Sequence, residues 1–333
     1  MNRFVSTHTR LTIAAVGLPI ACLALAVYSL CAGLTQLGIA QAFDALRGAA
    51  PHNIHVMVTQ WRLPRVVTAL LLGAALGTSG AIFQSLMRNP LGSPDIMGFN
   101  TGAHSAVLIA IVLFSGGPSA IVGAALVGGI LSAAVVYLLA WRDGIQPFRL
   151  IIIGIAIRAL LVSLNTWLVV GASLESALTA GLWSAGSLNG MTWAKIVPVA
   201  LPIAIALITA LALSRRMHLL EMGDDAACAL GVPVETSRLL LILTGVILTA
   251  AATAAAGPIS FVALVAPQIS RRLANTQTLA IPLAALTGAL LLLAADIAAQ
   301  RLFIPYQLPV GVVTVCIGGI YLIGLLLRES RKK

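Results

Sequence analysis

The chain has 333 residues, 59% of them hydrophobic and only 9% charged, with a formal net charge of +10. Soluble domains carry about 25% charged residues, so this composition excludes a water-facing globular surface and puts most of the chain against lipid or other buried helices. The positive charge does not mark a nucleic-acid binder, because the cations sit in short clusters between apolar runs and no basic helix face is interleaved with aromatics.

Arg3 and Arg10 precede an uncharged run from Leu11 to Phe43. A cleaved signal peptide has an apolar region of about 7–15 residues before a small-residue site. Ala24, Leu25 and Ala26 resemble such a site, but the apolar run is too long, and it reads as an uncleaved first membrane helix. Crossing about 30 Å of hydrocarbon at about 1.5 Å per residue takes about 20 apolar residues. On that measure the predicted spans are 11–33, 66–87, 95–115, 118–140, 149–171, 194–213, 238–256, 258–272, 278–299 and 307–327. The charge-free stretch 96–141 is too long for one helix and divides at Gly116, Gly117, Pro118 and Ser119; the stretch 239–270 divides at Gly257 and Pro258. The span 149–171 admits Arg158. Residues 172–193, rich in Ser, Gly, Thr and Asn, read as an external loop with a short helix.

The expected fold is therefore an all-α polytopic integral membrane protein, a single transmembrane domain over 1–333 with about ten helices. An even count puts both termini on one side. With the N-terminus inside, fourteen of the twenty Lys and Arg fall in the cytoplasm. Five fall outside (Arg47, Arg62, Arg65, Lys195, Arg301) and Arg158 lies in the membrane. The positive-inside rule selects this orientation, with cytoplasmic termini.

Chemistry is sparse. The sequence contains no GxxxxGK[ST] loop, no HExxH and no GxSxG, so it offers no nucleotide, zinc-protease or serine-hydrolase site by those routes. Cys22, Cys31, Cys228 and Cys316 form no CxxC pair and have no His at ligand spacing, so neither a disulfide nor a metal site is expected. The ionised groups at bilayer depth are Arg158 and Asp296. An Arg with no acid beside it in the sequence is a poor start for acid–base catalysis, so transport is expected rather than an enzyme.

Three stretches stand out. Residues 61–65, WRLPR, lie just outside the second span, where Trp and Arg anchor at the interface or form an external cationic patch for an acidic partner. Arg158 lies nine residues into the fifth span, about 13 Å deep, where a charge costs roughly 2.5–3.5 kcal/mol. Asn165 comes two turns later along the same face, with Thr166 close by. That polar face either bonds neighbouring helices or lines a conduit in which a cation lowers the barrier for an anionic cargo. Third, the insert 214–237 reads SRRMHLLEMGDDAACALGVPVETS. Leu219, Leu220, Ala226, Ala227 and Leu230 give it an apolar face opposite Glu221, Asp224 and Asp225, and Gly223 and Gly231 mark helix ends. It reads as a solvated connector or as a short helix pair docking into a partner's groove.

WRLPR, GAALGTSGAIFQSLM (73–87), RNPLGSPDIMGFNTGA (88–103), LLEMGDDAACALGV (219–232), GPISFVALVAPQISRR (257–272) and LPVGVVTVCIGG (308–319) occur in collinear order. Together they resemble the iron-siderophore and cobalamin ABC-importer permeases, from about residue 60 to the C-terminus, with wording closest to the ferric enterobactin type that pairs with a second, related permease. The resemblance implies a transmembrane subunit in the bacterial inner membrane that passes a ferric siderophore, a catecholate by that wording, from periplasm to cytoplasm by alternating access. It implies a heterodimer of two permeases, two cytoplasmic ATPase subunits and a periplasmic siderophore-binding protein. ATP and Mg are then handled on the partners, and no cofactor is bound by this chain.

Carried over residue by residue, the resemblance assigns docking of the binding protein to Arg62 and Arg65. A third docking position falls on Gln300, four residues after Asp296, with Arg301 one step along and turned by about 100°. The cytoplasmic gate maps onto Asn89 and Leu91, and onto Pro147 and Phe148. The ATPase-coupling segment maps onto Glu221, Gly223, Asp224, Leu230 and Gly231. The alternative is an ion-coupled secondary transporter without an ATPase. Intramembrane acids would favour it, and this chain has almost none.

Overall fold

A computed structural model describes residues 2–33, 35–114, 116–142, 146–276, 280–304 and 306–330. Every element among these residues is helical: α1 (Asn2–Cys31), α2 (Ile39–Arg47), α3 (His52–Val56), a π-helical turn (Met57–Arg62), α4 (Leu63–Met87), α5 (Phe99–Phe114), α6 (Pro118–Ala140), α7 (Pro147–Val170), α8 (Leu174–Ser184), α9 (Trp193–Glu221), α10 (Asp224–Ala229), α11 (Val234–Ala256), α12 (Val262–Ala274), α13 (Ile281–Arg301) and α14 (Val310–Ser330).

Among the described residues, seven helical runs are long and apolar enough to cross a membrane: Thr9–Cys31, His52–Met87, Ser119–Ala140, Phe148–Val170, Trp193–Glu221, Val234–Ala256 and Ile281–Arg301. Phe99–Phe114 and Val310–Gly324 are shorter apolar helices. The chain is a multi-pass membrane protein by this measure. The predicted division at 116–119 falls at the start of α6, which opens at Pro118, and that at 257–258 falls between α11 and α12. Gly257 takes φ 75°, a conformation an L-residue resists, and it closes α11.

Three boundaries differ from expectation, each for a local reason. WRLPR does not lie outside the second span; it sits within one helical run, His52–Met87. Pro64 brings no N–H, and its ring crowds the carbonyl four residues before it. The run widens there into the π-turn, with Leu63 N–H donating to the Val58 carbonyl five residues back. The third span begins at Phe99 rather than Asp95, because Pro94 and the left-handed Gly98 (φ 79°) hold 93–98 in tight turns. Finally, α9 runs on to Glu221, so the first third of the insert continues a spanning helix. Helix α2, between α1 and α3, has no counterpart among the expected spans.

The α4 helix is the central post. In its most apolar window 78% of residues are buried, against 17% for α1 and for α7. Lipid is as apolar as leucine, so helices in it associate through close packing, and small residues supply the approach. Gly73 and Gly77 of α4 face Ala284 and Gly288 of α13, where a Cβ at Gly77 would lie 2.3 Å from the Ala284 carbonyl oxygen. Farther along, Gly80 meets the Ala263 carbonyl of α12. On the other side Ser79 donates to the Gly245 carbonyl of α11 at 2.8 Å. The outward faces of α6, α7 and α9 carry Leu138, Leu160, Leu201 and Ile208, all exposed.

Candidate functional site

The residues singled out from sequence gather in three places along the bundle. At one end, Trp61, Arg62, Arg65, Gln300 and Gln307 line a recess of about 290 Å³. Arg62 is turned inward: its guanidinium donates to the carbonyls of Leu30 (2.7 Å), Cys31 (3.1 Å) and Thr35 (2.6 Å). It thereby satisfies carbonyls that the end of α1 leaves without helical partners. Arg65 makes a bidentate pair with Asp296 of α13, with Nε to Oδ2 at 2.9 Å and Nη2 to Oδ1 at 2.8 Å. Its other nitrogen donates to Gln307 at 3.1 Å. Gln300 donates to the second oxygen of Asp296 at 2.8 Å. Arg301 lies beside this cluster, its guanidinium carbon 5.8 Å from the Tyr28 ring centre. Arg62 and Arg65 are therefore half-buried structural links as well as surface cations, and Trp61, Leu302, Phe303 and Tyr306 are exposed apolar side chains of this end.

The second place is a cavity of about 440 Å³ between α5, α7 and α8. Arg158, Asn165 and Thr166 line it together, as their seven-residue spacing predicts, and Arg158 is exposed. From α5 come Thr101 and His104, and from α8 Ser184. The His104 ring stacks on Trp183 with centroids 5.6 Å apart. Two polar atoms facing this region, His104 Nε2 and Asn165 Oδ1, are buried with no hydrogen-bond partner. In a low-dielectric setting such unpaired polar atoms are uncommon. Arg158 also has an acid within electrostatic reach, Asp95. Asp95 accepts from the Asn100 side chain and from the Phe261 N–H, and Asn100 Oδ1 in turn accepts from Thr253 at 3.0 Å. The expectation of an Arg without a nearby acid is corrected here: the acid comes from the turn before α5, sixty-three positions away in sequence, and only folding brings it close. Sequence reasoning does not find His104 either. A lone His in an apolar run carries no signal until a neighbouring helix turns it toward the Arg.

The third place is the opposite end. Leu91 N–H donates to Asn89 Oδ1 at 2.9 Å, closing a side-chain turn, and Gln268 of α12 ties the turn down at the Pro90 carbonyl, also at 2.9 Å. Leu91 projects from it, half exposed. Pro147 opens α7, its side chain lying outside those described, and Phe148 beside it is exposed. Of the coupling positions, Glu221 ends α9 and Gly223 and Gly231 hold φ 121° and 79° on either side of α10. Leu230 is exposed at the end of α10. Asp224, the first residue of α10, bridges Arg88 (2.7 Å) and Arg238 (2.9 Å), and Glu235 also pairs with Arg238 at 3.2 Å. Partial burial alone would raise the Asp224 carboxyl, but hydrogen bonds and charge from Arg238 and Arg88 outweigh it and hold the group below its ordinary range. Arg88 carried no predicted role beyond topology, and nothing in its local sequence points to a partner 136 residues on.

The chain matches the FecCD transport family over residues 21–328. It is 64% identical to the ferric enterobactin transport system permease protein FepG of Escherichia coli (strain K12), over 97% of this chain and 98% of that protein. It is 35% identical to the iron(3+)-hydroxamate import system permease protein FhuG of Bacillus subtilis (strain 168), over 91% and 93%. Its backbone superposes on a solved inward-facing metal-chelate type ABC transporter with a TM-score of 0.82 at 30% identity, covering 95% of this chain and 98% of that one. The match spans nearly the whole chain and includes all three clusters, and the chain belongs to the FecCD transport family.

Proposed function

We propose that this chain is the transmembrane permease subunit of an ATP-driven importer that moves a ferric siderophore of the catecholate class, such as ferric enterobactin, across the bacterial inner membrane. The observation that carries the reading is the 64% identity to a ferric enterobactin permease over almost the full length of both chains. The chain is a transport component rather than an enzyme, and ATP and Mg bind to separate ATPase subunits. It binds no cofactor of its own. The whole of 1–333 acts as one transmembrane domain of ten spans, with α12 as a short one and both termini in the cytoplasm.

In this reading the cavity beside α7 is one half of the path. A charge costs several kcal/mol when it faces lipid, yet Arg158 is exposed on a helix that is little buried. A second, related permease facing α7 would enclose Arg158, Asn165 and His104 in a shared conduit. A ferric tris-catecholate is trianionic, and a guanidinium at that depth lowers the cost of its passage. The recess with Trp61, Arg62, Arg65 and Arg301 receives the periplasmic binding protein. Asn89, Leu91, Pro147 and Phe148 form the cytoplasmic gate, and the segment from Glu221 to Gly231 docks on the ATPase.

The test is reconstitution of this permease with a second permease, the ATPase and the binding protein in proteoliposomes, measuring accumulation of iron-radiolabelled catecholate chelate. Uptake is expected only with ATP on the ATPase side and binding protein on the other. Uptake that needs no ATPase and tracks a proton or sodium gradient would overturn the reading in favour of a secondary transporter.

A further inference from the structure

Helix α10 is loosely attached to the bundle by apolar contact. It has six residues, a single buried side chain, Ala227, and a positive-φ glycine on each flank. Its polar attachment is concentrated in one group. Asp224 Oδ1 accepts from Arg88 Nη2 at 2.7 Å, and both carboxylate oxygens accept from Arg238 Nη2 at 2.9 Å. Arg238 is buried at the start of α11 and is anchored a second time by Glu235. Arg88 caps α4 in a left-handed conformation, φ 48°, and donates also to the Leu220 carbonyl at 2.8 Å. The carboxylate thus joins α10, the end of α4, the end of α9 and the start of α11.

The turn immediately after Arg88 is stiff. Asn89 N–H donates to the Gln84 carbonyl, Gly92 N–H to the Asn89 carbonyl, and the Asn89 side chain holds the Leu91 N–H. A displacement of the Arg88 backbone therefore meets a braced turn rather than a slack loop.

We propose that Asp224 is the positioning residue that transmits displacement of α10 to the turn bearing Asn89 and Leu91, through Arg88. The inference rests on the importer reading and adds the route by which an ATPase acting on α10 reaches the gate. The two guanidiniums hold the carboxylate ionised, so the link persists across the physiological pH range. Arg238 serves as the fixed anchor and Arg88 as the moving arm, because the Arg88 side chain is 40% exposed and that of Arg238 only 5%.

The test uses the complete complex in proteoliposomes, with the ratio of chelate transported to ATP hydrolysed as the readout. Arg88→Gln, outside the segment that docks on the ATPase, is expected to keep the ATPase bound and hydrolysing; Asp224→Asn is compared per ATP hydrolysed by the ATPase that remains bound. The transport ratio should fall on the order of tenfold, the size of an ordinary coupling free energy. With the four native cysteines replaced by alanine, Arg88→Cys combined with Asp224→Cys should be uncoupled, and a short bifunctional thiol reagent should restore the ratio. A wild-type ratio in either single variant overturns the relay. Loss of ATPase binding in Arg88→Gln also overturns it, by making the Arg88–Asp224 pair part of the docking surface rather than a link behind it. Failure of the unaltered complex to couple uptake to ATP is a separate result, which removes the importer reading and the relay with it.

Discussion

Replacing Arg65 with alanine should destabilise the isolated permease, with no binding protein present. Asp296 has a side chain only 1% exposed, and Arg65 only 14%. Their contact is bidentate, the geometry in which a guanidinium and a carboxylate interact most strongly. Removing one member of a buried pair costs about 3–5 kcal/mol, because the other is left charged and unpaired. Gln300 still donates one hydrogen bond to Asp296 in the variant, which sets the expectation at the low end, about 3 kcal/mol, or roughly a hundredfold in the folding equilibrium. Replacing both members with apolar residues of similar volume, Arg65→Met with Asp296→Leu, should cost far less than the sum of the two single changes. The assay is denaturant unfolding in detergent micelles, monitored by tryptophan fluorescence, over the full double-mutant cycle. If Arg65→Ala unfolds at the wild-type denaturant concentration and loses only affinity for the binding protein, the structural reasoning is wrong and Arg65 is a free docking cation.

Other consequences are equally direct. A Cβ at Gly80 would stand 1.7 Å from the Ala263 carbonyl oxygen, where ordinary contact begins at 3.4 Å. Gly80→Ala should therefore push α4 and α12 apart and cost about 1–3 kcal/mol, seen as a lower thermal midpoint in micelles; an unchanged midpoint would refute the packing. Leu91→Trp should alter transport while binding-protein affinity for the reconstituted complex stays at the wild-type value, and a parallel loss of affinity would count against a gate at that turn. Arg158→Gln should lower uptake of an anionic ferric catecholate by about tenfold, as expected for removing one charge–charge contact in a partly desolvated path. An uncharged ferric hydroxamate offered to the same complex should be little affected, and equal loss for both chelates would remove the anion-selective role.

Much of the helical architecture was legible before any coordinates. Membrane-length apolar runs and their glycine–proline interruptions placed α6, α7, α11 and α13 to within a few residues, and the C-terminal end of α1 likewise, although α1 starts nine residues earlier than expected, because a helix in lipid has to bond its own backbone. The pairing of Arg158 with Asn165 on one face also came from helical periodicity alone. The π-turn before Pro64 was not legible, since a proline near a helix start is compatible both with a true N-terminus and with an interrupted longer run.

The partners of the charged residues were hidden for a different reason. Arg65 and Asp296 are 231 positions apart, and Arg88 and Asp224 are 136 apart. Local spacing says nothing about such distances. Composition and segment-by-segment reading were enough to establish a helical, membrane-embedded chain, because those properties arise from apolar content and from backbone hydrogen bonding within each segment. Tertiary packing was needed to show that Arg65 is spent on Asp296, that His104 lines one cavity with Arg158 while Asp95 comes within its electrostatic reach, and that one carboxylate ties α10 to Arg88 at the end of α4. Those pairings depend on which faces of the helices meet, for Arg65 and Asp296 through the close contacts of Gly73 and Gly77 with Gly288 and Ala284, and no single segment contains both sides of such a contact.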